Sequence, residues 1–350
     1  MANEFKNKRI LVTGGTGSIG STIVRKVLKC DPAQIRILSR DETKQYNLMN
    51  ELKSDRLRFL IGDIRNKDRL GKAMENIDIV FHAAAMKHVL ACENDPFEAV
   101  ETNVRGMQNI IDCAMANNVE KVIGISTDKA TDPTSVMGCT KLLAEKIMLS
   151  HYRGSHSTKF CFVRFGNVLN SRGSVIPLFY NQIRAGGPVT VTDKEICRFF
   201  MTIDDAVDLV LKSASMMRDR EIFVLKEMAI LKIYDLARVM IDLYAPRFGH
   251  DPKKIKIEIT GLKSGERFHE KLLNEDESYY ALENQEKFII LPMVGFNKNL
   301  KNSAKNYGPV KRCKIGDFST EGKKTISREQ IKQILLMESD SLALALNNYC

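Results

Sequence analysis

Through the first half of the chain, short runs of aliphatic and β-branched residues alternate with longer stretches whose apolar positions recur every three to four residues. Arg9–Thr13, Ile35–Ser39, Leu57–Ile61, Ile79–His82, Lys121–Ile125 and Phe160–Arg164 read as strands, with helical patterns such as Ser18–Leu28, Phe97–Asn117 and Ser135–His151 between them. Such alternation is the pattern of βαβ units around a parallel sheet. Six strands with intervening helices predict an α/β fold of the Rossmann type, doubly wound, whose ligands sit outside the carboxyl ends of the strands.

Beyond about residue 165 the rhythm breaks. Short strands at Val189–Val191, Ile222–Leu225, Ile255–Ile259 and Phe288–Leu291 mix with helices near Ser174–Ala185, Asp204–Met216, Ile233–Tyr244 and Glu329–Met337. This predicts a smaller mixed α/β C-terminal lobe folded over the sheet edge. The apolar face of Asp204–Met216, with Val207 and Val210, reads as core. The polar stretch 297–311 reads as a loop or extended arm, and no internal repeat is present.

Composition narrows the class. With 350 residues, 44% hydrophobic and 27% charged, the chain is neither disordered nor low-complexity. No apolar run approaches the ~20 residues that cross a bilayer, and MANEFKNKRI leads into a strand, so a soluble cytoplasmic protein without membrane partners is expected. The eight cysteines are scattered, without C-x-x-C pairs or histidines at ligand spacing, which predicts reduced thiols and no metal. The 53 basic residues outnumber the 43 acidic ones, a net charge of +10. Only Tyr307 interleaves with the basic residues of 297–311, so anionic small molecules are preferred to nucleic acid as the partners of that charge.

Candidate chemistry begins directly after the first strand, at Thr13-Gly14-Gly15-Thr16-Gly17-Ser18-Ile19-Gly20. Glycines at 14, 17 and 20 permit a tight turn, close backbone approach to a pyrophosphate, and close packing of helix on strand. In a strand–turn–helix context followed by further βα units, the reading is dinucleotide binding. The second strand ends in Ser39-Arg40-Asp41-Glu42-Thr43-Lys44, where a hydroxyl and two cations suit a 2′-phosphate; NADP is favoured over NAD. Asp63-Ile64 falls where an adenine edge would lie, and Ala83-Ala84-Ala85 offers a small-residue floor for the cofactor.

Together, Thr13–Gly20, His82-Ala83-Ala84-Ala85, Thr102-Asn103-Val104, Ser126-Thr127-Asp128-Lys129-Ala130 and Arg164-Phe165-Gly166-Asn167 resemble the extended short-chain dehydrogenase/reductases. Ser39–Lys44, Ala85-Met86-Lys87-His88, Asp128-Lys129, Ser171-Arg172-Gly173-Ser174-Val175-Ile176-Pro177 and Gly265-Glu266-Arg267 narrow the resemblance to the UDP-N-acetylglucosamine 4,6-dehydratases. It runs from about residue 7 to 290, with a continuation at 307–336. The superfamily's Tyr-x-x-x-Lys is matched by Met137-Gly138-Cys139-Thr140-Lys141, so a thioether stands where the proton-shuttling tyrosine is usual.

The resemblance implies a dinucleotide unit at 1–165, to which some later segments return, a nucleotide-sugar lobe at 166–296, and an arm and helix at 297–350. It also implies a redox-neutral dehydration: C4 of the sugar is oxidised, the C5 proton removed, water lost across C5 and C6, and the reducing equivalents returned to C6. Lys129 would take the C5 proton and Asp128 protonate the departing C6 hydroxyl, which requires a neutral Lys129 and a protonated Asp128. Lys141, expected on the nicotinamide ribose, and the oxidised nicotinamide add positive charge that disfavours a charged Lys129. Lys129, Asp128 or a water held by Thr127 are the candidates for deprotonating the C4 hydroxyl.

Asn103, Ser126 and Asn167 join the cofactor set by the same resemblance, and Lys87 and His88 follow the fourth strand to face cofactor or sugar. Gly166, Asn167, Arg172, Ser174, Val175, Thr190, Thr192, Arg198 and Glu266 match positions near the nucleotide-sugar, where arginine suits a diphosphate. The implied substrate is UDP-N-acetylglucosamine or a close UDP-sugar, and the implied assembly a homo-oligomer, such as a hexamer. Two rival readings are a UDP-sugar 4-epimerase, which shares the fold and C4 oxidation, and a non-catalytic dinucleotide-binding or RNA-associated protein.

Overall fold

The computed structural model describes residues 2–150, 157–292 and 307–338. Seventeen strands are present among them: β1 (Arg9–Thr13), β2 (Gln34–Ser39), β3 (Leu57–Ile61), β4 (Ile79–His82), β5 (Lys121–Ile125), β6 (Lys159–Arg164), β7 (Asn167–Val168), β8 (Val189–Val191), β9 (Cys197–Met201), β10 (Glu221–Leu225), β11 (Ala229–Lys232), β12 (Ile257–Ile259), β13 (Lys271–Leu273), β14 (Ala281–Glu283), β15 (Lys287–Ile290), β16 (Lys311–Arg312) and β17 (Phe318–Ser319). Ten form one sheet in the order β16-β14-β15-β10-β6-β5-β4-β1-β2-β3. The seven from β10 to β3 pair in parallel, and β14, β15 and β16 extend the β10 edge antiparallel.

Both faces of this sheet are covered, and the strands are correspondingly apolar on both sides. One core gathers Ile10, Val12, Ile35, Ile79, Phe81, Ile123 and Val163 with the helices Ser18–Leu28 and Ile203–Met216; the other gathers Leu11, Val80, Val122 and Phe162 with Lys67–Met74, Gly106–Ala116 and Val136–Ser150. A third core, around Phe179, Val191, Phe200, Leu236 and Met240, joins the helices Val175–Arg184 and Ile233–Tyr244 to β8, β9 and β11. Ile331 and Leu335 of the final helix, Arg328–Met337, enter this third core.

Three expectations change, and a fourth falls largely outside the described residues. Ile222–Leu225 and Phe288–Leu291, read as strands of the second lobe, correspond to β10 and β15 of the large sheet. Ile203–Met216 is buried through Val207 and Val210 as expected, but it packs on the helix Ser18–Leu28 and on the large sheet. The helix read at Phe97–Asn117 is broken into Pro96–Val100, a π-helical turn at Glu101–Arg105 and Gly106–Ala116. Most of the stretch 297–311 lies outside the described residues; Tyr307 is buried, its hydroxyl donating to Glu221 Oε1 at 2.5 Å, and Lys311 belongs to β16.

No helix among the described residues is long and apolar enough to cross a membrane.

Candidate active site

The carboxyl ends of the parallel strands open into a cavity of about 890 Å³, whose far wall is made by β7 to β9 and residues 260–266. At one end, β1 turns through Gly14–Gly17 into the helix Ser18–Leu28. Gly17 occupies the N-cap with no side-chain hydrogen bond, leaving the first helical amides to the cavity. The turn has no room for side chains: a Cβ on Gly20 would lie 2.3 Å from the Gly14 carbonyl oxygen, and one on Gly14, at φ +64°, 2.7 Å from the Ala84 nitrogen. An anion-accepting helix end in a cradle that any Cβ would fill fits a dinucleotide pyrophosphate.

Of the residues expected around a cofactor, Gly14, Thr16–Gly20, Ser39, Arg40, Asp41, Lys44, Asp63, Ile64, Ala83–Ala85, Lys87, Ser126, Lys141 and Asn167 all line this cavity. Asn103 does not. It is buried one layer back, where Oδ1 accepts the Met86 amide at 2.8 Å and Nδ2 donates to the Met86 carbonyl and Thr140 Oγ1, so it braces the wall. Arg40 reaches Asp63 at 3.6 Å and is otherwise largely exposed. Asp41 caps the helix Glu42–Leu52 through the Lys44 amide and pairs with the Lys44 ammonium at 2.6 Å; the Lys44 contacts pull its carboxyl below the usual range.

The expected substrate positions Lys87, His88, Gly166, Asn167, Arg172, Ser174, Val175, Thr190, Thr192, Arg198 and Glu266 line the same cavity. Residues 171–174 straddle its two ends. The Arg172 guanidinium donates to the Thr16 carbonyl, its amide donates to Ser18 Oγ at 3.2 Å, and Lys87 Nζ donates to its carbonyl at 2.6 Å. Gly173, at φ +71°, lies so close to the His88 ring that a Cβ there would sit 2.2 Å from Cε1. Recession into the cavity and the nearby Arg172 charge lower the Lys87 pKa to about 8. Thr192 Oγ1 donates to Glu266 at 3.1 Å, and Arg198 is held by the carbonyls of Cys197, Arg267 and Phe268.

Asp128 and Lys129 form a short 3-10 turn after β5, capped by Thr127. Thr127, Lys129, Met137 and Lys141 face the cavity; Asp128, expected there, does not. Its side chain is fully buried, with Oδ1 accepting from Thr127 Oγ1 at 2.8 Å and from Lys129 Nζ at 3.0 Å while Oδ2 has no hydrogen-bond partner. Lys129 Nζ also reaches Asn167 Oδ1 at 3.1 Å and Glu270 Oε1 at 3.3 Å.

The expectation that surrounding positive charge disfavours a charged Lys129 is reversed in the protein as it stands. Burial acts to lower its pKa and Arg198 adds to that, but Asp128 and Glu270 outweigh them and the net shift is upward. Lys141 instead goes down, to about 8, because burial acts on it with only Glu145 opposing; its ammonium donates to the Ile125 carbonyl. Met137 is nearly buried with Cys92 and Ala99, and Gly138 behind it admits the turn so closely that a Cβ would lie 2.3 Å from the Lys129 carbonyl oxygen.

Beneath this turn is a buried ionic network. Arg164 Nη2 meets Glu145 Oε2 at 2.7 Å, its Nη1 meets Glu277 at 2.8 Å and Thr131 Oγ1 at 2.9 Å, and Ser126 Oγ donates to Glu145. The residues that sequence reasoning missed are Glu270, and Thr260 and Lys263 on the cavity wall. The only local signal for Glu270 was its nearness to the Gly265-Glu266-Arg267 segment.

A doubly wound parallel sheet, a glycine cradle at its first turn and Lys141 on the helix Val136–Ser150 are features of the class of the extended short-chain dehydrogenase/reductases. Within that class the chain belongs to the family described as Polysaccharide biosynthesis protein, which matches residues 10–292. It is 48% identical over 96% of its length to a protein of Methanocaldococcus jannaschii that carries a membrane-protein name, 97% of which is covered. It is 39% identical over 83% of its length, and 85% of the relative, to the UDP-N-acetylglucosamine 4,6-dehydratase (inverting) of Campylobacter jejuni. To the UDP-glucose 4-epimerase of Rickettsia canadensis it is 38% identical over 95% of its length and 96% of the relative. Among solved structures, Pen from Bacillus thuringiensis superposes with a TM-score of 0.89 at 42% identity, covering 96% of this chain and 98% of that one.

Proposed function

We propose that the protein is an NADP-dependent UDP-N-acetylglucosamine 4,6-dehydratase, and the observation that carries the reading is the setting of Lys129. Its ammonium sits at the carboxyl end of β5 on the cavity surface, 3.0 Å from a buried carboxylate, while Met137 occupies the place of a proton-transferring side chain. Epimerisation at C4 needs proton and redox chemistry at one carbon. Elimination across C5 and C6 needs a base and an acid together, which a lysine–carboxylate pair supplies.

The chemistry a bound nicotinamide supplies is reversible two-electron oxidation of the sugar. The chain's own groups handle the protons. Lys129 Nζ passes its proton to Asp128 Oδ1 and then takes the proton at C5. Asp128 is cut off from the cavity, so its proton reaches the C6 hydroxyl through Thr127 Oγ1, which touches Oδ1 at 2.8 Å and lines the cavity. Methionine carries no proton and the lysine–carboxylate pair takes up one proton at a time, so the proton of the C4 hydroxyl leaves through a water held by Thr127 on the cavity wall. Arg172 and Arg198 hold the diphosphate, Thr190, Thr192 and Glu266 the rest of the nucleotide-sugar, and Lys141 the nicotinamide ribose. NADP is preferred to NAD because the Asp41 carboxylate is committed to Lys44 while Arg40 stays exposed at the mouth.

Incubation with UDP-N-acetylglucosamine in heavy water tests the reading. A product lighter by one water and carrying deuterium at C5 is expected, and its ring proton couplings then report whether C5 is inverted. The Rickettsia relative favours a second reading, a UDP-sugar 4-epimerase; recovery of only the substrate and its C4 epimer selects it and overturns the first. The proposal includes homo-oligomeric assembly, which a monomer in sedimentation refutes.

A further inference from the structure

Glu270 is a buried charge that the reaction described above leaves unused. It is 3% exposed, ahead of β13, and its backbone is fixed from both sides: its amide donates to Thr320 Oγ1 at 3.1 Å, and its carbonyl accepts from the Thr320 amide at 3.0 Å and Ser319 Oγ at 3.2 Å. Its Oε1 lies 3.3 Å from Lys129 Nζ and 3.5 Å from Arg198 Nε, while Oε2 is buried with no hydrogen-bond partner. Lys129 has three N–H donors and meets three acceptors here: Asp128, Asn167 and Glu270. Within this cluster its lone pair becomes available when one of the two carboxylates takes a proton.

The carboxylates are not equivalent. Glu270 has the Arg198 guanidinium at its other side, and that guanidinium is immobilised by three backbone carbonyls. Asp128 pairs with Lys129 alone and otherwise accepts from a neutral hydroxyl. A proton placed on Asp128 has a route to the cavity through Thr127 Oγ1, whereas Glu270 is closed off behind Lys129 and Arg198. We propose that Glu270 is a positioning residue: clamped by Arg198, it fixes the direction of the Lys129 ammonium and leaves proton exchange to Asp128, which has the route to the cavity. The charged groups acting on Lys129 are Asp128 on its own turn, Glu270, and Arg198 on β9. This assignment deepens the dehydratase reading and rests on it for its catalytic meaning.

The test reads Lys129 directly. Acetic anhydride labelling of Lys129, followed by mass spectrometry from pH 7 to 11 with exposed Lys72 as internal standard, gives the pH dependence of its free amine without substrate. Removing one opposite charge within ~4 Å moves a pKa by about one to three units, so Glu270→Gln should raise Lys129 labelling at pH 8 about tenfold or more. Glu270→Asp, which keeps the charge, should stay near the wild-type curve. The wild-type Lys129 should titrate above Lys72 whether or not the variants fold. Lys129 titrating at or below Lys72 in the wild type, or an E270Q curve that coincides with it, or an equal displacement in E270D, overturns the proposal. If labelling behaves as expected but UDP-N-acetylglucosamine is left unchanged, only the dehydratase reading fails.

Discussion

Arg164→Met strains the site from beneath without touching the cavity. Arg164 is fully buried and neutralises Glu145, which is 1% exposed, and Glu277, while also bonding Thr131 Oγ1 and the Leu272 carbonyl at 3.1 Å. Methionine fills much of the volume but leaves Glu145 with only the Ser126 hydroxyl and Glu277 with only the Asn274 amide, and no positive charge for either. Breaking a buried pair from one side costs roughly 3–5 kcal/mol. Urea unfolding followed by tryptophan-free probes, such as far-ultraviolet circular dichroism, measures it. The penalty belongs to the charged carboxylates, so it is full where they are ionised and is relieved as acid neutralises them. The loss should therefore be larger at pH 8 than at pH 5.5, and Arg164→Met with Glu145→Gln should recover part of it. A loss below about 1 kcal/mol, or one that ignores pH, refutes the account of Arg164 as the charge that makes this core tolerable.

Three further outcomes are expected. Lys129→Ala should lower turnover by about a hundredfold or more while the dinucleotide still binds, as read by steady-state kinetics beside calorimetric titration. Arg40→Ala should weaken NADP binding by about tenfold, the worth of one charge-assisted contact, and leave NAD unaffected; equal losses for both would contradict the assignment of the 2′-phosphate. Lys141→Met should stabilise the unliganded protein at pH 7, because burial disfavours a charged Lys141 below its pKa of about 8, and the gain should shrink between that value and the unfolded value near 10.5; denaturant midpoints at pH 7 and pH 10 decide it.

What the chain disclosed before folding was local. β1 to β6 were placed within a residue or two because apolar runs and helical periods are properties of neighbouring residues, and the glycine turn was legible because its spacing carries its geometry. Ile222–Leu225 and Phe288–Leu291 were found as strands but assigned to the wrong body, since the pairing of β10 with β6 and β15 spans about sixty residues and leaves no period in the sequence. Asp128 was read as facing the cavity because its position after β5 is visible and the direction of its side chain is not. Glu270 depends on contacts with residues fifty positions away, so no window of sequence holds both halves of its environment.

That same dependence fixes when the protein becomes competent during its synthesis. All seven parallel strands of the large sheet are complete by Leu225, and the glycine cradle closes far earlier. Ser319 and Thr320, which hold the backbone of Glu270, come almost a hundred residues later. A ribosome-bound chain thus has its dinucleotide cradle long before its charge cluster is locked, and a nascent protein stalled before residue 318 holds Lys129 with one of its carboxylates unanchored.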